Sequence, residues 1–233
     1  MNKLNFKLKE EIFSTPNRDK DKPWNESWSM ETHGMDVLKH PFKCLVTGKP
    51  GSGKSCVIMN CFLRIQLTDR PFKQLIIIQP GTSSEWDVAD PTLILSDIPD
   101  AESLVESAEH KKTLIIIDDF DLTALNKIQQ KNLSLLFRYI SSHCNISIFM
   151  SYQSFFDVPT LVRKCCNYFI VYKTNNVDEI STIAKRTGYT AKVFQRIFSQ
   201  HILGKHDFLL IDNVSDYPLR KNIYEIINYD DYK

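Results

Sequence analysis

The stretch Gly48-Lys49-Pro50-Gly51-Ser52-Gly53-Lys54-Ser55 decides the fold of this chain. It matches the pattern G-x-x-x-x-G-K-[ST], a loop whose backbone amides surround a phosphate group. Its glycines allow backbone angles that are closed to other residues, so consecutive N–H groups can point at one anion. The Lys54 ammonium can reach the β- and γ-phosphates, and the Ser55 hydroxyl can ligate Mg²⁺. The stretch therefore predicts a site for a nucleoside triphosphate and its metal ion.

The residues on either side of this loop supply the strand and the helix that the motif requires. Before it, Lys43–Thr47 has the composition of a short buried strand. After it, apolar residues recur at helical spacing. The alternative, a glycine-rich turn that happens to precede a lysine, does not account for this setting in a chain with only seven glycines. We expect the nucleotide to be bound by Gly48, Lys49, Pro50, Gly51, Ser52, Gly53, Lys54, Ser55 and Cys56.

Composition limits the other possibilities. At 233 residues and 42% hydrophobic residues, the chain can form one large α/β domain, with or without a small appendage. Its longest aliphatic runs, at 75–78 and 114–117, are too short to span a bilayer, and residues 1–7 lack the apolar stretch of a signal peptide. The six cysteines form no C-x-x-C pair, which favours reduced thiols. We therefore expect an intracellular protein with no membrane insertion.

Residues 1–40 differ from the rest of the chain. They are rich in charge, contain Pro16 and Pro23, and show little periodicity. We expect an N-terminal arm or extension, anchored on the core or on a neighbour by Trp24 and Trp28. A disordered tail is the alternative. Residues 41–233 then form the nucleotide-binding domain.

From Pro41 onward, predicted strands and helices alternate. A helix is predicted over 129–143, and Asn176-Val177-Asp178-Glu179 resembles a capping box that opens a second helix, which Gly188 closes. Apolar strands between helices predict an α/β fold with a mostly parallel sheet covered on both faces. The predicted strands cover residues 43–47, 74–79, 112–118, 145–150, 168–172 and 207–211.

Two aspartates, Asp118 and Asp119, end one of the predicted strands. A buried strand that ends in a carboxylate can deliver Asp118 beside the phosphate loop, where it holds Mg²⁺ through water. Asp119 could orient and deprotonate the attacking water. The alternative is that the two residues merely end a strand and begin a turn. A complete strand separates Lys54 from Asp118 in sequence, which is typical of P-loop ATPases with an additional strand and a catalytic acid.

Gln153 follows the next predicted strand. In a doubly wound sheet the carboxyl ends of the strands face the ligand crevice, so its amide could contact the γ-phosphate or the attacking water. The alternative is a surface glutamine that opens a loop.

These residues together resemble a known family. The segments 48–55, 75–80, 115–119 and 143–154 resemble the FtsK–HerA superfamily of P-loop ATPases. Three further segments are similar in particular to the DNA-packaging ATPases of poxviruses and other large DNA viruses, virophages and Polinton-like elements: FFDVPTLVR (155–163), YFIVYKTN (168–175), and FLLID (208–212) followed by RKN (220–222). The resemblance spans about residues 41–222.

The resemblance implies an ATP- and Mg²⁺-dependent motor that forms a homo-oligomeric ring and pumps double-stranded DNA into a preformed capsid. It assigns the glutamine sensor to Gln153 and the catalytic acid to Asp119. It also implies a location in the cytoplasm or nucleus of the infected cell, or in the virion. The viral group often shows Gly-Arg-His where this chain has Ser141-Ser142-His143. Any arginine finger must therefore come from Arg163 or Arg138.

Other functions share part of this pattern. A helicase, a helicase loader and a nucleotide kinase have the same first two motifs, but a kinase also needs an arginine-rich lid, which the sequence lacks. A non-hydrolysing, nucleotide-gated assembly protein would not need Asp119 beside Asp118. The net charge of +1 indicates no general attraction to nucleic acid.

Overall fold

The structure, a computed structural model, describes residues 38–68, 71–81, 84–108, 111–214 and 219–233. Nine strands form a single sheet in this part of the chain. They are β1 (Lys43–Thr47), β2 (Gln74–Ile78), β3 (Leu93–Leu95), β4 (Thr113–Ile117), β5 (Ile146–Tyr152), β6 (Tyr168–Tyr172), β7 (Phe208–Asp212), β8 (Leu219–Lys221) and β9 (Glu225–Ile226). Their spatial order is β3-β2-β4-β5-β1-β6-β7-β8-β9. The first six in this order are parallel, and the last three join antiparallel.

Helices cover both faces of the sheet, as predicted. They are α1 (Lys54–Gln66), α2 (Ala101–Ala108), α3 (Lys127–Leu135), α4 (Ser141–His143), α5 (Thr160–Cys165), α6 (Val177–Arg186) and α7 (Ala191–His201). A π-helical segment, Leu136–Ile140, joins α3 to α4. Short 3₁₀ turns lie at Ser84–Ala89, Phe155–Asp157 and Tyr229–Tyr232.

Alternating side chains of the parallel strands build two separate cores. On β1, Cys44 and Val46 point to the face that α1 covers, whereas Leu45 points to the opposite face. The buried side of α1 packs on the first face, and the apolar sides of the longer C-terminal helices pack on the second. Because both faces are covered, β2 and β4 are buried throughout and are apolar after their first residue. The predicted fold class is confirmed.

The sheet order brings the predicted motifs to one edge. The additional strand, β5, lies between β1 and β4, with Thr47 opposite Tyr152 and Ile117 opposite Met150. The other neighbour of β1 is β6. All four strands are parallel, so the residues that follow their carboxyl ends form one crevice.

Several local predictions need correction. The helix predicted from Gln129 begins earlier, because Asn126 caps α3 in a complete capping box with Gln129. The capping box predicted at Asn176 is only half formed: its side chain accepts from the Glu179 amide, but the Glu179 carboxylate binds elsewhere. The strand expected to be the last, β7, is followed by β8 and β9. These short strands, like β3, carry too few residues to produce a recognisable pattern.

The predicted N-terminal arm, with Trp24 and Trp28, lies outside the described residues, which begin at 38. Leu38 is buried, and the Lys39 amide donates to the Tyr168 hydroxyl at 3.0 Å. The described chain therefore joins the core three residues before the predicted domain boundary at Pro41. Within the described ranges, no helix combines the length and the apolar character needed to cross a bilayer.

Candidate phosphate-binding site

The glycine-rich loop connects the end of β1 to the start of α1. Gly48 must be a glycine because a Cβ there would lie 2.7 Å from both Ser52 Oγ and Tyr172 Cβ. Gly53, at φ 107°, adopts a left-handed conformation at the N-cap of α1. No acidic residue lies in the first turn of α1, so the positive end of the helix dipole remains available to an anion. The loop therefore has the backbone form that a phosphate group requires.

Residues from distant elements support the loop from outside. The Gly48 amide donates to the Tyr152 carbonyl at 3.1 Å, which ties the loop to the end of β5. The Tyr172 hydroxyl, at the end of β6, donates to the Gly53 carbonyl at 2.8 Å. His206 Nδ1, in the turn before β7, contacts the Ser52 carbonyl at 2.8 Å. These contacts fix the loop to three neighbouring elements.

Lys54 and Asp119 face each other across the site. The buried Lys54 ammonium donates to the Gly48 carbonyl at 3.1 Å and lies 3.7 Å from Asp119 Oδ1. The Asp119 side chain is 49% exposed. Asp119 has a φ of 43°, a left-handed conformation that Asp and Asn tolerate better than longer side chains do. The lysine and the predicted catalytic acid are therefore brought together, with the acid open to water.

Asp118 is buried beside the loop and accepts hydrogen bonds at both carboxylate oxygens. Oδ2 accepts from the Ser55 hydroxyl at 3.2 Å and from the Trp86 indole N–H at 3.0 Å, and Oδ1 accepts from the Ser151 hydroxyl. Burial is the largest influence on the pKa of Asp118 and raises it, the charge of Asp119 also raises it, and the three hydrogen bonds lower it. Asp118 therefore keeps a fixed orientation.

Ser55 and Asp118 fit a magnesium ion. Both offer oxygen, the ligand that Mg²⁺ prefers, and they already touch. Among the described residues no cationic side chain pairs with Asp118, so a bound cation would offset the cost of burying its charge.

Gln153 lies beside the loop, as the position of its strand predicts. It directly follows Tyr152, whose carbonyl accepts from Gly48. Its exposed side chain lines a cavity of about 320 Å³, together with the loop residues Gly48, Lys49 and Pro50. The far wall of this cavity contains Thr174 and Glu179, which follow β6.

The two candidate arginine fingers lie in different places. Arg163, on α5, places its guanidinium 4.9 Å from the ring centre of Phe155, in the turn that follows Gln153, and donates to Thr160 Oγ1 at 2.9 Å. Arg138 is exposed on the π-helical segment. The carbonyl of its neighbour Phe137 accepts from the Lys43 ammonium, at the start of β1 and thus at the opposite edge of the sheet from the loop.

Sequence reasoning missed five residues of the site: Trp86, Ser151, Tyr172, Glu179 and His206. Ser151 had a detectable signal, since a polar residue inside an apolar strand next to Gln153 is unusual. Its hydroxyl donates to the Asp118 carboxylate and accepts from the Asp119 backbone amide at 3.1 Å, so it orients the Asp118 carboxylate and holds the Asp119 backbone. Trp86, Glu179 and His206 carried no signal, because each reaches the site from a separate element.

Comparison with known proteins agrees with the resemblance that the motifs indicated. No protein-family model matches the chain. The DNA packaging protein OPG160 of Monkeypox virus is 24% identical over 161 residues, which cover 61% of this chain and 51% of that protein. The chain thus spans about half the length of the curated relatives it matches.

Solved structures confirm the fold. The genome packaging NTPase B204 from Sulfolobus turreted icosahedral virus 2, in complex with ATP-gammaS, superposes with a TM-score of 0.55 at 18% identity. The match covers 82% of this chain and all of that chain. EssC (ATPases 2 and 3) from Geobacillus thermodenitrificans gives a TM-score of 0.58 at 13% identity over 97% of this chain and 47% of that chain. The chain is therefore similar in sequence to poxvirus DNA packaging proteins, and it shares its fold with a viral genome packaging NTPase and with EssC.

Proposed function

We propose that this protein is an ATP-hydrolysing motor that translocates double-stranded DNA and packages a viral genome into a capsid. The observation that carries the proposal is the pairing of Lys54 with Asp119 across the mouth of the phosphate loop. A protein that only binds nucleotide has no need of an exposed carboxylate beside that lysine. The viral relatives are a DNA packaging protein and a genome packaging NTPase, and they supply the substrate and the setting of the proposal.

The geometry supports a separate role for each of the two carboxylates, Asp118 and Asp119. The buried Asp118, with Ser55, would hold Mg²⁺, which supplies positive charge to the β- and γ-phosphates when bound. The exposed Asp119 would accept a proton from the attacking water, whose oxygen forms the new bond to the γ-phosphorus as the bond to the ADP oxygen breaks. Lys54 would leave the Gly48 carbonyl and contact the γ-phosphate.

Turnover of ATP by the purified chain, measured with no DNA, with duplex DNA and with single-stranded DNA, tests the proposal. We expect basal hydrolysis that duplex DNA stimulates more than single strands do. Stimulation by single strands alone would indicate a helicase instead. Nucleotide binding without any turnover would indicate an assembly protein. Lys54→Ala, prepared in the same way, controls for contaminating ATPases.

We further propose that the active site is completed by Arg163 of a neighbouring copy in a ring. Phosphoryl transfer spreads negative charge over the equatorial oxygens, and a correctly placed arginine is worth about 10³–10⁵ in rate. Arg163 is favoured over Arg138 because it packs on the Gln153 turn at the crevice edge. Arg138 lies near the start of β1, about 13 Å of strand away from the loop.

Mixing two inactive variants tests this assignment. In a ring that combines Arg163→Ala with Lys54→Ala, some intact loops face intact arginines, so partial activity should return. Arg138→Ala mixed with Lys54→Ala is the matched control. If co-assembled Arg163→Ala and Lys54→Ala subunits stay inactive, Arg163 is not the finger. The ring also predicts that specific activity rises with protein concentration.

A further inference from the structure

Glu179 is a buried carboxylate at the crevice, and the proposed hydrolysis assigns it no role. It is 6% exposed, and among the described residues it forms no ion pair. Its position, N3 of α6 after the N-cap Asn176, predicts a side chain that returns to the N-cap amide. The Asn176 amide instead donates to Thr174 Oγ1 at 3.2 Å, and Glu179 points into the crevice. Burying a carboxylate away from cations is costly, so hydrogen-bond donors around Glu179 must offset that cost.

Both carboxylate oxygens of Glu179 are used to join two loops. Oε1 accepts from the Phe155 amide at 2.5 Å, and Oε2 accepts from the Thr174 hydroxyl at 3.1 Å. Phe155 lies two residues after Gln153, beyond the end of β5, and Thr174 lies two residues beyond the end of β6. Because β5 and β6 are the two neighbours of β1, Glu179 bridges the crevice over the strand that carries the phosphate loop.

The contact to Phe155 determines where the Gln153 backbone lies. The buried ring of Phe155 packs against Phe169 of β6, so this residue is held through both its side chain and its amide. Gln153 itself is exposed, and among the described residues its side chain makes no hydrogen bond. Its amide group is therefore free for a ligand, while its backbone is positioned by the turn that Glu179 fixes.

We infer that Glu179 is a positioning residue for catalysis, which holds the Gln153 turn against the end of β6 so that the glutamine amide faces the γ-phosphate side of the loop. The inference rests on the proposed ATP hydrolysis and on the role of Gln153 in it. It adds a residue that acts through a backbone amide and does not touch the substrate. The Arg163 guanidinium packs on the ring of Phe155, so the contact of Glu179 with the Phe155 amide also fixes the residue on which the proposed arginine finger packs.

A double-mutant cycle in ATP turnover tests the inference. Glu179→Ala should lower kcat by about 10- to 100-fold, as expected when a reacting group is displaced, while KM stays nearly constant. Adding Gln153→Ala to Glu179→Ala should cause little further loss, because both act through one group. Losses that multiply would overturn the inference. So would normal turnover of Gln153→Ala, an outcome that leaves the proposed ATPase intact.

Two further variants separate positioning from folding. Glu179→Gln keeps an acceptor for the Phe155 amide and should restore most of the lost kcat. Asp178→Ala removes an exposed carboxylate from the same first turn of α6 and should leave kcat unchanged. Failure of Glu179→Gln to exceed Glu179→Ala would contradict a role through this hydrogen bond.

Hydrogen exchange measures the contact without any turnover. In nucleotide-free protein, the Phe155 amide should exchange at least about tenfold faster in Glu179→Ala than in the wild type, since its acceptor is lost. An unchanged exchange rate would overturn the inference. Because this readout does not depend on ATP hydrolysis, it judges Glu179 even if the proposed function fails.

Discussion

The β4 side and the β5 side of the phosphate site are built in different ways. On the β4 side, side chains bind one another: Asp118 binds Ser55, and Asp119 pairs with Lys54. On the β5 side, the Gln153 side chain is exposed, and the backbone is held instead, by Glu179 at the Phe155 amide. The side chains of the β4 side therefore fix one another, whereas the β5 side presents an amide group that makes no hydrogen bond to the described residues.

This difference suggests which steps each side serves. The proposed metal ligands Ser55 and Asp118 and the proposed acid Asp119 would serve nucleotide binding and the chemical step. A side chain that is free until the γ-phosphate arrives can report whether ATP or ADP is bound. Substitutions on the β4 side should therefore affect binding or basal chemistry, and those on the β5 side should affect hydrolysis and its response to DNA.

The largest expected effect lies in the loop that both sides share. Lys54→Ala should lower kcat/KM by about 10³-fold or more and should severely weaken ATP binding, because the buried ammonium is lost from the phosphate site. Turnover and binding of a fluorescent ATP analogue measure this. Lys131→Ala, which removes an exposed lysine from α3, is the matched control. Tight ATP binding by Lys54→Ala would contradict the phosphate-loop assignment.

On the β4 side, Asp119→Asn should bind ATP with Mg²⁺ and fail to hydrolyse it, with a loss of about 10³-fold in kcat. Asparagine tolerates the left-handed backbone at this position, so the fold should not change. Single-turnover kinetics with saturating ATP separate binding from chemistry. Near-normal hydrolysis would show that Asp119 is not the catalytic acid.

On the β5 side, Gln153→Ala should leave ATP affinity nearly intact, lower hydrolysis by about 10- to 100-fold and reduce the stimulation by duplex DNA. The exposed side chain makes this substitution mild for the fold. The ratio of turnover with and without DNA is the decisive quantity. If that ratio and the basal rate both match the wild type, Gln153 is a surface glutamine that opens a loop.

The smallest effect concerns stability and pH. Burial raises the pKa of the Asp118 carboxyl in the folded protein above its value in the unfolded chain. The ionised carboxylate therefore lowers the free energy of unfolding of the nucleotide-free protein at high pH. This loss of stability disappears as the pH falls through the folded pKa toward the unfolded pKa. Asp118→Asn should therefore raise the free energy of unfolding at pH 7, and should raise it less at acidic pH. Thermal melting at several pH values measures this. Asp119→Asn, at an exposed position, should show no such gain.

Prediction from sequence succeeded where neighbouring residues act together. The phosphate loop, the strand before it and the helix after it lie in one continuous stretch, and their conformation follows from local glycines and apolar spacing. The positions of the two aspartates at the end of β4 could also be predicted from sequence, because the residues that follow a buried parallel strand lie at the crevice. Gln153 was located by the same rule.

Prediction failed where a side chain forms its hydrogen bonds with residues of another helix, strand or loop. Glu179 occupies the capping-box position of α6, yet its oxygens bind Phe155 and Thr174. Local pattern alone favours the helix cap, and only the proximity of the β5 and β6 ends makes the other contact available. Trp86 is a similar case, since its sequence neighbourhood contains nothing that identifies Asp118 as its acceptor.

The sequence by itself therefore determined the α/β class, the phosphate loop and the order of the strand-ending residues that follow it. Only the tertiary structure decided which side chains support them: Ser151 and Trp86 on Asp118, His206 on the loop, and Glu179 on the Gln153 turn. The physical reason is that the first set depends on backbone angles and spacing within one segment. The second set depends on the order β4-β5-β1-β6, which brings together groups from separate parts of the chain.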